Sequence, residues 1–337
     1  MILTDAMALL YRSHFAFAHD HRLRTRNGRD TTVEFGFLAT MMSLLELLPH
    51  PTHLAVVFDA SGKTFRHELY TGYKGQRPPA PDEIVEAVPV VQEILRAMNI
   101  VDVCVPGVEA DDVIATLAMK GLEVSLFVSC TYIYTSLSIN IFMQNSMTVA
   151  IASPDKDFFQ LLRPGLILLR PPKKNSNALS DGKFQKYSLV PYTEEDFREE
   201  WQGLSPSQFV DVLALMGDSS DNVPGVPGIG PKTATALLSQ FGSLEEILEN
   251  SEHAKPKRAA TALSSVDGVA AARLSKQLVQ LQTELDVPAT TGSLDRFRIQ
   301  VPKDGGESAI KLLHSLEFES HQRRIRGLWQ KMYYNYH

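Results

Sequence analysis

The stretch GDSSDNVPGVPGIGPKTA, residues 217–234, places Asp218 and Asp221 immediately before a loop crowded with glycine and proline. An apolar run, FVDVLALM, precedes the stretch, and KTATALLSQF continues beyond it. Proline at the first helical position and glycine just past the last are typical of helix ends, as at Pro231 and Gly242. The stretch therefore predicts a helix, a glycine-rich loop and a second helix, with both aspartates at the C-terminal end of the first.

These two aspartates and the loop behind them predict two kinds of ligand. A helix C-terminus carries negative partial charge, so two carboxylates there are unfavourable unless a cation binds nearby. In the loop, Gly228 and Gly230 would expose backbone N–H groups to a phosphate, and Lys232 would add a positive charge. A tight turn with a glycine cap explains an isolated pair of glycines as well, so the rest of the chain has to decide.

Short apolar runs alternate with helical patterns in the first two-thirds of the 337-residue chain. The runs MILT, LAVVF, VDVCV, TVAIA and LILLR predict buried strands, and EFGFLATMMSLLELL, DEIVEAVPVVQEILRAM and DDVIATLAM predict helices between them. This alternation predicts an α/β fold, with a mainly parallel sheet and helices on both faces. From about Trp201 the pattern becomes all-helical.

Acidic residues follow several of the predicted strands. Asp5 ends the first, Asp59 follows the second, and Asp155 follows TVAIA. Open α/β sheets form their sites at the carboxyl ends of the strands, so these acids should meet at one edge. Carboxylates brought together repel unless cations are bound, and Mg²⁺ prefers a few carboxylates with water and substrate phosphates. The candidate metal ligands are Asp5, Asp59, Glu109, Asp111, Asp112, Asp155, Asp157, Asp218 and Asp221.

The expected chemistry is phosphodiester hydrolysis, because two such ions clamp the attacking water and the leaving oxygen of an in-line displacement. The segment FRHELYTGYKGQRPP supplies candidate substrate contacts: Arg66, Lys74 and Arg77 for phosphates, and Tyr73 for stacking on unpaired bases. A solvated loop with incidental tyrosines is the alternative interpretation of this segment.

Composition predicts a soluble, intracellular protein. The net charge of −6, from 33 Lys and Arg against 39 Asp and Glu, disfavours a nucleic-acid partner, but without the nine candidate ligands the balance turns slightly positive. Two cysteines indicate a reducing compartment. No secretory or transit segment is visible, which leaves an organelle or the nucleus open, and no membrane partner is expected.

One stretch does not fit the rest. Residues 124–154 contain no charged side chain and are rich in Ser, Thr, Ile and Tyr. A membrane span is disfavoured, because hydroxyl and amide groups are frequent and a span would separate Asp111 from Asp155. We expect residues 124–146 to be an insertion outside the fold, either genuine or translated non-coding sequence.

Together these motifs resemble the 5′-nuclease superfamily, specifically the 5′–3′ exonuclease and flap endonuclease domain that precedes bacterial DNA polymerase I and also occurs alone. The resemblance covers about residues 1–325 and is carried by YRSHFAF, VVFDA, FRHELYTGYKGQRPP, EADDVIATLA, SPDKDFFQLL and LMGDSSDNVPGVPGIGPKTA. It implies a PIN-like catalytic domain over residues 1–200 and a helical C-terminal exonuclease domain over residues 201–325, followed by a tail at 326–337. The helical domain would contain a helix-two-turn-helix, a DNA-binding motif similar to a helix-hairpin-helix.

The resemblance also implies cofactors, partners and roles. It implies two Mg²⁺ ions, with Mn²⁺ as a substitute, and K⁺ at the helix-two-turn-helix. The partner would be DNA with a 5′ flap, nick or branch, bound by a monomer in replication or repair, with a separate polymerase as a further partner. The implied catalytic residues are Lys74, Arg77, Asp112 and Asp155. The implied substrate contacts are Tyr73, Lys74, Arg77, Gly228, Gly230 and Lys232, to which the segment itself adds Arg66.

Two other functions stay open at this point. The first is a catalytically impaired DNA-binding protein of the same fold, which has no reason to retain the full set of acids. The second is a PIN-type ribonuclease, a class of small proteins that lacks the helix-two-turn-helix. TDAM also stands where the family usually has Asp-Gly, although the aspartate is kept.

Overall fold

A computed structural model describes residues 1–16, 22–47, 49–133, 148–172 and 188–335. In these ranges six strands form one sheet in the order β3-β2-β1-β4-β5-β6. Their bounds are β1 (Ile2–Asp5), β2 (Leu54–Phe58), β3 (Val101–Cys104), β4 (Val149–Ala152), β5 (Leu166–Arg170) and β6 (Val190–Tyr192). Strands β1 to β5 are parallel and match the five predicted runs. Strand β6 is antiparallel and was not predicted, because it is short and contains Pro191, which a sheet tolerates at its edge.

Helices surround this sheet and then continue alone, as the change of pattern near Trp201 predicts. In the first part of the chain they are α1 (Ala6–Ala16), α2 (Thr32–Leu45), α3 (Phe65–Leu69), α4 (Asp82–Ala97), α5 (Ala110–Ile133) and α6 (Glu194–Glu200). The later ones are α7 (Phe209–Met216), α8 (Pro231–Phe241), α9 (Leu244–Glu249), α10 (Lys257–Leu263), α11 (Val266–Val279), α12 (Glu307–Ser315) and α13 (Glu319–Asn335). Short 3₁₀ turns lie at Asp157–Leu161, Pro206–Gln208, Ser251–His253 and Leu294–Phe297.

Two hydrophobic cores lie on opposite faces of the sheet. Leu3, Val57 and Ile151 point into one core, which α5 and the helices from α7 to α11 complete. Their neighbours in the strands point the other way, into a core formed with α1, α2, α4, α12 and α13. Buried strands covered on both faces are what near-continuous apolar runs predict. The last two helices therefore return to the face of the sheet opposite α7.

The predicted helix-loop-helix is confirmed. The N–H of Ser205 donates to the side chain of Gln208 at 2.8 Å, in the capping box that precedes α7. Helix α8 begins at Pro231 and ends before Gly242, whose φ of 91° is easily adopted only by glycine. The next helix, α9, is capped by Ser243, whose side chain accepts a hydrogen bond from the N–H of Glu246.

The uncharged stretch is described only in part. Helix α5 continues beyond the predicted DDVIATLAM as far as Ile133. Residues 134–147, which form most of the predicted insertion, lie outside the described residues. Strand β4 follows them in register with β1 and β5, so TVAIA is the strand that leads to Asp155. Within the described ranges, no helix is both long enough and apolar enough to cross a membrane.

The last helix packs on the second core instead of extending away from it. Leu328 and Trp329 are both less than 10% exposed, at 8% and 7%. The predicted tail at 326–337 is therefore a packed end as far as it is described, with residues 336–337 outside the description. The predicted domain boundaries at 200 and 325 stay predictions.

Candidate metal centre and nucleic-acid interface

The carboxyl ends of three neighbouring strands bring the first group of acids together. Strand β1 lies between β2 and β4, so Asp5, Asp59 and Asp155 stand side by side at one edge. Asp5 accepts hydrogen bonds from the N–H of Ala8 at 3.0 Å and from Ser153 Oγ at 2.7 Å. The parallel sheet thus produces the convergence that the sequence predicts.

A fourth acid joins this group from the first turn of α5. The N–H of Ala110, which begins α5, donates to Asp59 Oδ1 at 2.9 Å, so Asp59 fixes the helix start beside the sheet edge. Asp111 follows in the same turn. Burial, then repulsion from Asp5, Asp155 and Asp59, raises the pKa of Asp111 well above its ordinary value.

The same repulsion acts on the buried end of β1. Burial raises the pKa of Asp5 to about 7, and Asp59 and Asp155 add to the rise against the two hydrogen bonds that lower it. These carboxyl groups therefore resist being charged together without a cation.

The second group of acids is carried by a tight hairpin after α7, residues 217–225, which we call the aspartate loop. Gly217 and Gly225 have φ of 74° and 61°, and a Cβ on Gly225 would lie 2.3 Å from the backbone nitrogen of Gly217. Only glycine permits this close approach. Asp218 and Val223 exchange backbone hydrogen bonds at 3.1 and 2.8 Å, which turns Asp221 back toward the sheet edge.

Asp157 joins the aspartate loop to the first group. Its N–H donates to Asp155 Oδ1 at 2.9 Å. Burial, then repulsion from Asp155, Asp221 and Asp218, raises the pKa of Asp157 well above its ordinary value. Asp155 is therefore the carboxylate that interacts with both groups.

The donor set fits a hard divalent cation. Asp157 Oδ1 is buried and accepts no hydrogen bond from any described residue. A buried charged oxygen without a partner is expensive unless an ion compensates it, and carboxylate oxygens are the ligands of Mg²⁺. Across the described part of the chain, however, no three of the His, Cys, Asp and Glu side chains are already close enough to hold one ion together.

Protein cations contact three of the carboxylates around this edge. Lys156 Nζ lies 2.9 Å from Asp218 Oδ2, and the Arg77 guanidinium contacts Asp221 Oδ1. Lys74 Nζ lies 2.8 Å from Glu109 Oε2 and 3.7 Å from Asp221 Oδ2. Burial lowers the pKa of Lys74, but these carboxylates raise it by more, so the amine stays charged. Lys74, Arg77 and Lys156 therefore place positive charge at the acidic edge.

Two predicted site residues are corrected by their placement. Arg66 is 2% exposed and donates to both carboxylate oxygens of Asp112, at 2.6 and 2.8 Å. Its remaining donors reach the carbonyl oxygens of Leu278 and Gln280. Arg66 is thus closed off from substrate, and Asp112, which also accepts from the N–H of Gln282, has its oxygens occupied by protein donors. We remove both from the substrate and metal sets, because together they form a buried ion pair that ties α3 and α5 to the end of α11.

Tyr73 is also placed differently from the prediction. It is 3% exposed, and its hydroxyl lies 3.1 Å from both Glu109 Oε2 and Asp221 Oδ2. The Lys74 amine lies over one face of the ring, 5.0 Å from its centre, and the burial of the side chain leaves no open surface for a nucleobase. Tyr73 therefore packs beneath the Lys74 amine and donates to the site carboxylates, in place of the predicted stacking on substrate.

The glycine loop before α8 is open to solvent. Gly228 and Lys232 are exposed, and a Cβ on Gly228 or Gly230 would meet no heavy atom within 4 Å. The loop therefore has room for a phosphate at the start of α8. Gly230 lies nine positions after Asp221, so the same short segment reaches both the metal edge and this loop.

Several contributors were missed from the sequence. Lys156 stands between two predicted ligands in SPDKDF and is not among the predicted site residues. Ser153 links Asp5 to the N–H of Asp155. Asn222 and Gln76 join the aspartate loop to the segment that carries Lys74. Only Lys156, a cation inside an acidic motif, gave a signal that could have been used.

Comparison with known proteins agrees with this arrangement. Residues 1–136 match the family model of the 5′-3′ exonuclease N-terminal resolvase-like domain, and residues 204–305 match that of the 5′-3′ exonuclease C-terminal SAM fold. The chain is 37% identical over 331 residues to a 5′-3′ exonuclease of Aquifex aeolicus, covering 98% of this chain and 96% of that protein. It is 34% identical to DNA polymerase I of Bacillus caldotenax, covering 97% of this chain and 32% of that protein. The chain thus spans about a third of the length of that polymerase.

Solved structures share the fold at low sequence identity. A T5 5′-exonuclease with bound zinc superimposes with a TM-score of 0.60 at 17% identity, covering 98% of both chains. The catalytic core of Rad2 in complex with DNA substrate superimposes with a TM-score of 0.57 at 15% identity, covering 97% of this chain and 91% of that one. With both family models and a full-length relative matched, the chain belongs to the 5′–3′ exonuclease family of phosphodiester-hydrolysing nucleases.

Proposed function

We propose that this chain is a Mg²⁺-dependent 5′–3′ exonuclease and structure-specific 5′ flap endonuclease that hydrolyses DNA in replication or repair. The observation that carries the proposal is the cluster of carboxylates at the carboxyl edge of the sheet, bordered by Lys74 and Arg77. Buried acids with raised pKa values and facing cations are typical of a site for anionic substrates and metal ions.

The first group of acids and the second would each hold one divalent ion. The proposed ligands on one side are Asp5, Asp59, Glu109, Asp111 and Asp155, and those on the other are Asp155, Asp157, Asp218 and Asp221. When bound, two such ions supply a nucleophilic hydroxide and stabilise the charge on the leaving oxygen. Mg²⁺ is the proposed ion because hard oxygen donors with room for water and phosphate suit it, with Mn²⁺ as a substitute.

The protein's own residues would bind and orient the substrate. Lys74 and Arg77 hold positive charge above the carboxylates, where they would pair with the scissile phosphate and the charge that develops on it. Glu109 accepts a hydrogen bond from the Lys74 amine and so orients it, and the Tyr73 ring packs against the same amine. Without such cations the acidic edge would repel a phosphodiester.

Duplex DNA would be held outside this edge. The N–H groups of the Gly228–Gly230 loop and the charge of Lys232 would contact backbone phosphates, which position a duplex without reading its sequence. Because the aspartate loop leads directly into this loop, the duplex contact and the cleavage site would be a fixed distance apart. K⁺ at this loop, a monomeric state and a separate polymerase partner stay predictions.

A cleavage assay tests the proposal. The wild-type chain should cut a 5′-labelled DNA flap with Mg²⁺ and not with EDTA, whereas Asp155→Asn should bind the same flap without cutting it. Phosphate contacts outside the metal edge would keep the affinity. Binding without cleavage by the wild type would favour the impaired DNA-binding protein. Cleavage of RNA alone would favour the ribonuclease.

A further inference from the structure

The segment that carries the two proposed catalytic cations is held against the aspartate loop by its backbone. We call residues 72–77 the cation segment. Asn222 Nδ2 donates to the carbonyl oxygen of Gly72 at 2.7 Å, and the N–H of Lys74 donates to the carbonyl oxygen of Asp221 at 2.9 Å. A third hydrogen bond, from Gln76 Nε2 to a carbonyl of the loop, measures 2.5 Å. The two segments are therefore joined independently of the carboxylates.

Each of the two segments contributes a residue with an unusual backbone conformation. Lys74 has φ of 53° and Asn222 has φ of 57°, in the left-handed region that residues other than glycine seldom adopt. Asparagine tolerates this region, but lysine has no such preference. A residue held in a sparsely populated conformation at a functional site keeps it only where its surroundings fix it. The hydrogen bonds between the two segments add to those within the turn, where Gly75 N–H also donates to the Gly72 carbonyl at 3.0 Å, and together they hold Lys74 in this conformation.

We propose that Asn222 is a positioning residue for the reaction. Its amide holds the Gly72 carbonyl, which keeps the strained turn at Lys74 in place and directs the Lys74 amine toward the phosphate. The inference rests on the proposed nuclease function and adds a residue to it. The side-chain hydrogen bond of Asn222 goes to the Gly72 backbone and not to a carboxylate, so its proposed role acts through Lys74.

The aspartate loop is itself fixed at its far end. The N–H of Gly225 donates to the buried Ser275 Oγ at 2.9 Å, and Val226 N–H donates to the carbonyl oxygen of Leu215 at 2.8 Å. The exposed loop at Gly228 follows three positions after Gly225. A duplex bound to that loop would thus lie next to a hydrogen-bonded hairpin, and the other side of this hairpin holds the cation segment. Asn222 is the side chain of this hairpin that reaches the cation segment's backbone.

Asn222→Gly tests the proposal because glycine keeps the left-handed backbone and removes only the amide. Loss of one neutral hydrogen bond corresponds to about a fivefold change, so the single-turnover rate on a flap should fall about five- to tenfold. The Kd for the same flap without Mg²⁺ should not change. In a Lys74→Ala background, Asn222→Gly should have no further effect on the rate, because the amine that it positions is gone.

Two further variants keep the test decisive. Asn99→Gly is the matched control, since Asn99 has φ of 59° in the turn after α4, away from the site, and its rate should equal that of the wild type. If Asn222→Gly does not fold, Gln76→Ala replaces it, because Gln76 is exposed and holds the same two segments together. It should also lower the rate, and only when Lys74 is present.

The outcomes separate this inference from the proposed function. Equal rates for wild type and Asn222→Gly, or the same fold-loss with and without Lys74, would overturn the positioning role while leaving the nuclease intact. A wild-type chain that does not cut a flap with Mg²⁺ would overturn the proposed function itself. A Lys74→Ala chain that cuts the flap at the wild-type rate would overturn the catalytic role of Lys74, and with it the positioning role of Asn222.

Discussion

The guanidinium of Arg66 holds both carboxylate oxygens of Asp112 in the protein interior, at 2.6 and 2.8 Å. The pair links the helix before the cation segment to α5, and through the carbonyl of Leu278 to the end of α11. A buried ion pair of this kind stabilises little in itself, but breaking it leaves an uncompensated charge. Its consequences are therefore for stability and not for the chemistry of cleavage.

Asp112→Asn should destabilise the fold. Leaving Arg66 buried without its carboxylate should lower the free energy of unfolding by about 3 to 5 kcal/mol in a urea titration. Arg66→Met combined with Asp112→Leu should recover most of the loss, since both charges are then gone. A single Asp112→Asn variant that unfolds like the wild type yet does not cut DNA would return Asp112 to the metal site.

Lys74→Ala should lower the rate more than the affinity. Removing a preorganised group that stabilises developing charge typically costs about 100- to 1,000-fold in rate. The single-turnover rate on a 5′ flap should fall by this range, with little change in Kd. Lys63→Ala, at an exposed lysine before the same segment, is the control and should cut normally. Weaker binding with an unchanged rate would make Lys74 a positioning contact for DNA.

Gly230→Ala should weaken duplex binding without affecting the fold. Gly230 has φ of −104°, and an added Cβ would meet no heavy atom within 4 Å, so the protein accommodates the methyl group. A phosphate bound closely to the loop, by contrast, would clash with this methyl group. Losing one hydrogen bond to a charged group costs about 1.5 to 3 kcal/mol, so the Kd for duplex should rise about tenfold or more.

The control for this substitution is Gly327→Ala, where a Cβ is also free of contacts but the residue lies in α13. Its duplex affinity should equal that of the wild type. An unchanged Kd for Gly230→Ala would show that no phosphate approaches this loop closely.

His321 should make the protein less stable in mild acid. Burial, then the charge of Arg324, lowers its pKa to about 4, and its ring packs 4.4 Å from that of Phe35. In the unfolded chain His321 binds a proton near pH 6.5, but in the folded chain only near pH 4. The free energy of unfolding that depends on the uncharged ring is therefore complete above pH 6.5 and is lost as the pH falls toward 4. The contribution is about 3 kcal/mol. Urea midpoints from pH 7 to 4 should fall less steeply in His321→Phe; identical slopes would mean that His321 is not buried uncharged.

The strands and the acidic edge could be predicted because their signals are local. Apolar runs such as LAVVF and the acid that follows each of them define where a parallel sheet forms its site, and the ends of α8 are marked by Pro231 and Gly242. The environment of Arg66 and Tyr73 could not be predicted in this way. In the sequence, an arginine that pairs with a buried carboxylate cannot be distinguished from one that binds a phosphate. The partner of Arg66, moreover, lies 46 positions away. The burial of Arg66 depends on how α11 packs, which no pattern in residues 65–79 encodes.

The central claim is that one segment completes the metal edge at Asp221 and begins the duplex contact at Gly228, which fixes the cut relative to the duplex. The most direct measurement is the length of the 5′-labelled product from a series of DNA flaps that differ only in flap length, cut with Mg²⁺ under single-turnover conditions. The account predicts that the first product lengthens nucleotide for nucleotide with the flap, because the cut stays at a constant distance from the junction. A first product of constant length, counted from the free 5′ end whatever the flap, would contradict it.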